Sequence, residues 1–164
     1  MALSPEEQTR VWEGLYTSEV RIHYYAYLSI HYQRVQTFLT WLTLVLSGGA
    51  AATFVAKLST DYPWLPTWIP AALSLLTAAF SAYSLVAKNE RKGIDSSKLS
   101  QRYTEVALSF DKVFRRMEAA TSDELEKLET EEAKLGEPAH SLAYIKRLMR
   151  CAESDVKKAR KLKS

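Results

Sequence analysis

Hydrophobic and charged positions are unevenly sorted along this chain. Residues 35–56 and 62–87 carry no charged side chain; Lys57 and Asp61 lie between the two runs, and Arg34 and Lys88 bound them. A helical run of about 22 residues at ~1.5 Å per residue spans ~33 Å, and a bilayer core of ~30 Å needs about 20 apolar residues. The second run opens with Pro63, Pro66 and Pro70. Its helix is therefore expected from Thr67, with proline held to the first turn, where the missing N–H has no intrahelical partner to lose. The pattern predicts an all-α, integral membrane protein: a two-helix transmembrane hairpin whose helices extend into a cytoplasmic helical bundle. The expected layout is a cytoplasmic helix at 1–34, spans at 35–57 and 67–87, an outer turn at 58–66, and a cytoplasmic helical region with a basic tail at 88–164.

The charged remainder also reads as helix. Ser4, Pro5 and Glu7 form a helix start with a capping box, and Thr121 with Glu124 repeats it. One long helix is expected from Ser4 to Lys57, with a possible break at Gly14. Leu99, Tyr103, Val106, Phe110, Val113, Phe114 and Met117 recur at three- and four-residue spacing, an amphipathic stripe. Gly93 is an expected bend before it. An acidic helix from Thr121 is expected to stop at Gly136-Glu137-Pro138. A last helix, capped by Ser141, would carry Leu142, Ile145, Leu148, Met149 and Val156 on one side. No strand pattern or repeat is visible.

Mean hydropathy is −0.20, but that average conceals the sorting. Charge sharpens the membrane reading. Lys57 alone lies in the turn, whereas Arg21, Arg34, Lys88, Arg91 and Lys92 flank the other ends, so both termini are expected in the cytoplasm. Tyr62, Trp64 and Trp68 would anchor the outer boundary, and Arg34, Lys88, Arg91 and Lys92 the inner one. The first 34 residues contain several glutamates and no cleavable signal pattern. The competing arrangement is a buried hairpin in a soluble helical protein.

Candidate chemistry is sparse. His23, Tyr27 and His31 share a helical face, but the histidines stand ~12 Å apart on it, too far to share an ion at ~2 Å. They suit helix packing, or a pH-sensitive ring between copies of the chain. Glu129, Glu131 and Glu132 read as a solvated face among lysines. Cys151, the sole cysteine, excludes an internal disulfide. No catalytic motif, metal site or cofactor is expected. The tail "KKARKLKS" suits an anionic leaflet or a solvated terminus, and no nucleic-acid partner is expected.

Spacing suggests more within the second run. Thr67, Ser74, Thr77, Ser81 and Ser84 fall on one helical face. Gly48, Ala52 and Ala56 give the first run a small face suited to close helix packing. Either the hydroxyls pack against the first span, or they line a water-filled path enclosed by several copies of the chain.

The order of parts is also informative: "RIHYYAYLSIHYQR" leads into "VQTFLTWLTLVLSGGAAATFVAK", and a second span ends at "SLVAKNERKGIDSSKLSQRY". Over roughly residues 10–150 this layout resembles the SLATT family of two-span membrane effectors that accompany bacterial nucleotide-second-messenger systems. The resemblance implies a non-enzymatic pore-forming effector in the bacterial inner membrane, acting in antiphage or conflict defence by depolarising the cell. It implies an upstream sensor or nucleotide-signalling protein as trigger, beside the lipid bilayer and further copies of the chain as partners. It supplies no catalytic residues. The alternatives are a membrane-anchored scaffold whose cytoplasmic helices recruit a partner, and a soluble helical binding module.

Overall fold

A computed structural model describes residues 3–47, 68–139 and 142–161. Those residues form five helices and no strand: α1 (Pro5–Ser47), α2 (Ile69–Ala87), α3 (Asn89–Arg115), α4 (Ser122–Ala139) and α5 (Lys146–Ala159). The chain divides into two compact units, one of Met1–Ile30 with Lys92–Ser164 and one of His31–Arg91. We call the first the head.

Both capping boxes form. The Ser4 N–H donates to Glu7 Oε2 at 2.7 Å, and the Glu7 N–H donates to Ser4 Oγ at 3.3 Å. Thr121 and Glu124 exchange the same two bonds at 3.4 Å. Each box satisfies two N–H groups that a helix start leaves without partners.

Within the head, α1 and α3 run antiparallel. Gly14 faces Phe110, and the Ile22 carbonyl accepts from Ser100 Oγ at 3.0 Å. Leu99, Tyr103, Val106, Phe110 and Val113 of the expected stripe are buried, and Ala107 joins them. On α1, Val11, Ser18 and Tyr25 are buried at intervals of seven. Such a repeat keeps one seam of a long helix turned inward. The acidic α4 adds Leu125 and Leu135, and α5 adds only Ala152 and Val156.

Gly14 does not break α1. The glycine allows close approach: a Cβ there would lie 2.7 Å from Cε1 and Cζ of Phe110. Gly93 does not bend its helix either. The interruption falls at Lys88, which adopts a left-handed conformation (φ 48°, ψ 36°) between α2 and α3. The acidic helix continues through Gly136 to Ala139, its last turns anchored by buried Leu135. The last helix begins at Lys146, because Ile145 is held extended (φ −110°, ψ 99°).

The membrane hairpin is the main correction. Among the described residues no helix is long and apolar enough to cross a membrane. For α1 the reason is the length of its described charge-free part. The charge-free part of α1 that is described, residues 35–47, rises only ~20 Å. The rest of that expected span, with the outer turn, lies at 48–67, outside the described residues. Helix α2 has 19 residues, and the left-handed Lys88 ends it. The expectations of transmembrane helices, a membrane pore and an inner-membrane location are corrected on this finding. The all-helical expectation stands among the described residues.

Two substitutions test the α1–α3 contact with opposite signs. Gly14→Ala removes helix entropy cost, yet overpacks against fully buried Phe110. It should lower stability by about 1–3 kcal/mol. Ser18 is completely buried and its Oγ has no partner among the described residues. Ser18→Ala should therefore raise stability by ~1 kcal/mol. Urea unfolding followed by circular dichroism measures both.

Candidate functional site

The aromatic-rich stretch of α1 lines the most chemically distinctive part of the head. Tyr24 and Tyr25 are adjacent in sequence and both buried, with ring centroids 5.1 Å apart in an edge-to-face arrangement. Tyr25 stacks on Tyr103 of α3 with centroids 5.5 Å apart and planes 10° apart. Arg21, one turn earlier on α1, lies over the other partner of that stack: its Cζ is 5.3 Å from the Tyr103 centroid. Arg21 Nη1 donates to Tyr103 Oη at 2.9 Å and pairs with Glu132 Oε1 of α4 at 3.2 Å. Three helices thus meet at one guanidinium.

Tyr24 fixes the start of α5. Its hydroxyl donates to the Ala143 carbonyl at 3.2 Å and accepts the Ile145 N–H at 3.1 Å. That tertiary bond replaces the local cap expected from Ser141, which lies outside the described residues. Tyr144 is exposed, and its ring stands 6.2 Å from that of Tyr24. These residues border an open cleft of about 520 Å³, with Leu142, Met149 and Gly136 completing its wall.

Burial dominates the electrostatics here. It pushes the Tyr25 hydroxyl up to about 12; neighbouring Tyr103 adds to the rise and Arg21 opposes it. Burial likewise raises Tyr103, again against Arg21. Glu132 is held above the ordinary glutamate value by burial, with Arg21 lowering it and Glu129 raising it.

A second polar cluster ties α5 to α1. Arg160 pairs with both carboxylate oxygens of Glu19 and lies 5.0 Å over the Trp12 ring. Tyr27 Oη donates to Asp155 Oδ2, which raises the Tyr27 hydroxyl above its ordinary value. Arg10 pairs with Glu129 across α1 and α4.

The residues singled out from sequence are scattered by comparison. His23 and His31 are exposed on α1. Their rings rest against Tyr27 at 6.3 Å and Tyr32 at 5.9 Å, respectively. Ser74, Thr77, Ser81 and Ser84 lie in α2, and Thr67 is outside the described residues. Gly48, Ala52, Ala56, Tyr62 and Trp64 are outside them too. Trp68 is exposed just before α2, Arg34 is exposed on α1, and Lys88 is exposed at the helix break. Arg91 and Lys92 sit in the first turn of α3. Sequence spacing missed the convergence of Arg21, Tyr103, Glu132 and Tyr144. The one signal available was the placing of Arg21, Tyr24, Tyr25 and Leu28 at three- and four-residue steps.

No protein-family model, curated protein or solved structure matches this chain. The SLATT resemblance therefore rests on sequence layout alone.

Tyr25 offers a pH test. A hydroxyl raised from 10.0 to about 12 stays protonated in the folded state after it would ionise in the unfolded one. Its contribution is whole below pH ~10 and is lost as pH rises toward 12, a change of about 2–3 kcal/mol. Tyr25→Phe should flatten that alkaline loss, measured as melting temperature between pH 9 and 12 in matched buffers.

Proposed function

We propose that this chain is a self-associating interaction scaffold, assembled through the outer half of α1. One observation carries this reading: beyond Tyr25, α1 is apolar on two opposite faces. Leu28, Tyr32 and Leu39 are buried on one. On the other, Ile30, Phe38, Trp41, Leu44 and Val45 are all exposed, Phe38 at 66% and Trp41 at 64%. At about 100° per residue these five fall within about 120° of arc, which they share with exposed Arg34 and Thr37. Large apolar side chains clustered on an exposed helix face mark an interaction surface. Among the described residues no helix is long and apolar enough to cross a membrane.

A second copy of the chain is the occupant that fits. Phe38, Trp41 and Val45 follow the three-then-four spacing of a coiled-coil seam. Arg34 is the one charged side chain on the stripe and no charged residue follows it on α1, so the stripe offers little to a strongly charged partner. Against the same stripe of another copy it makes a self-complementary contact with two-fold symmetry. Helix α2 adds exposed Leu75, Leu76 and Tyr83 to the same unit. A scaffold of this kind acts by bringing several heads together, and each head carries the tyrosine cleft and its bordering charges.

The test is oligomeric mass. By light scattering at micromolar concentration, the wild type should weigh a multiple of 18.6 kDa. Phe38→Glu combined with Trp41→Glu should reduce it to one chain, with helix content unchanged. Two results would overturn the proposal: a wild type that stays at the single-chain mass, or one that floats with phosphatidylglycerol-containing vesicles in place of self-associating.

A further inference from the structure

The tyrosine cleft has the makings of a ligand site, beyond the scaffold reading. We propose that it binds a planar aromatic anion, its ring against the tyrosines and its carboxylate or equivalent group on Arg21.

Size comes first. About 520 Å³ lies within the range of ~300–1,000 Å³ typical of small-molecule pockets. Aromatic and apolar side chains line it with a single charged group to fix orientation, and its wall is nearly as polar as it is apolar. Tyr25 and Tyr103 form a rigid floor, buried and stacked. Tyr144 stands at the mouth, 67% exposed, with its plane tilted 36° from that of Tyr24. Two rings of the cleft are thus mutually packed, and Tyr144 offers an open face for a third.

Arg21 decides the sign of the ligand. Both of its polar contacts are made through Nη1. A guanidinium carries five N–H donors in a fixed fork, and among the described residues those on Nε and Nη2 are left for a ligand. The side chain is 35% exposed. Its bond to Glu132, at 3.2 Å, is longer than the ~2.7–2.9 Å of a well-matched charged pair. A carboxylate reaching Nε and Nη2 would make the bidentate contact that Glu132 does not. A cationic ligand would instead face the guanidinium that already occupies the Tyr103 ring.

The chain supplies its own reporter. It has three methionines, of which Met149 lines the cleft and Met117 does not. The protein is labelled with ¹³C at the methionine methyl groups and titrated with indole-3-acetate as probe. Tryptamine, with the same ring and an amine, and acetate, with no ring, are the controls. The expected result is a saturable shift of the Met149 methyl with indole-3-acetate alone, and a stationary Met117 methyl. Arg21→Gln and Tyr144→Ala should each weaken that binding about tenfold. Because Tyr144 is exposed, its variant keeps the test sound if Arg21→Gln does not fold. The proposal is overturned if Met149 does not respond to indole-3-acetate, if tryptamine moves it equally, or if Tyr144→Ala binds as tightly as the wild type.

Discussion

The contact of Gly14 with Phe110 sets the spacing on which the head depends. A Cβ at position 14 would lie 2.7 Å from the Phe110 ring, so the ring or a helix would have to shift. The close approach of α1 and α3 lets Tyr25 stack on Tyr103 a few turns away and brings the Ser100 hydroxyl to the Ile22 carbonyl. Stacked aromatic pairs add ~0.5–1.5 kcal/mol beyond their burial. Arg21 then closes the frame by reaching Tyr103 and Glu132 together, fastening α4 to the α1–α3 pair. Helix α5 is secured differently. It buries only Ala152 and Val156, and is held by the Tyr24, Tyr27 and Glu19 contacts from α1. Half-buried ion pairs of this kind have more to do with where a helix docks than with how much stability it adds.

Local signals were legible in the sequence, and long-range ones were not. Ser4 with Glu7 and Thr121 with Glu124 announce helix starts because each box lies within three residues. The stripe from Leu99 to Val113 shows the buried face of α3 because periodicity is a local property. By contrast, Ile145 is extended because Tyr24, 121 positions away, takes its N–H. Nothing near Ser141 could reveal that. The glycines misled for a related reason. Gly14 looks like a helix breaker by itself, but its role depends on Phe110, far along the chain. The tyrosine cleft combines residues from α1, α3 and the segment before α5, so neither its volume nor its charge could be read from spacing.

The apolar runs are the instructive failure. A charge-free stretch has the same composition whether lipid or protein covers it, and what separates the two is uninterrupted helical length. Among the described residues no helix is both long and apolar enough to cross a membrane. The physical demand behind the pattern persists even so. Phe38, Trp41 and Val45 are too exposed, and too regularly spaced, for the outer half of α1 to be a finished surface. The proposed self-association would meet that demand with residues the chain already has.

Paired spin labels measure this contact most directly. Thr40, exposed beside the stripe, is replaced by cysteine in a Cys151→Ser background and labelled. A helix pair with axes about 10 Å apart puts labels on two copies within about 30 Å of one another. The account predicts an intermolecular distance in that range, lost when Phe38 and Trp41 are both glutamate. A wild type with no intermolecular distance would contradict it, and so would a distance that survives the double substitution.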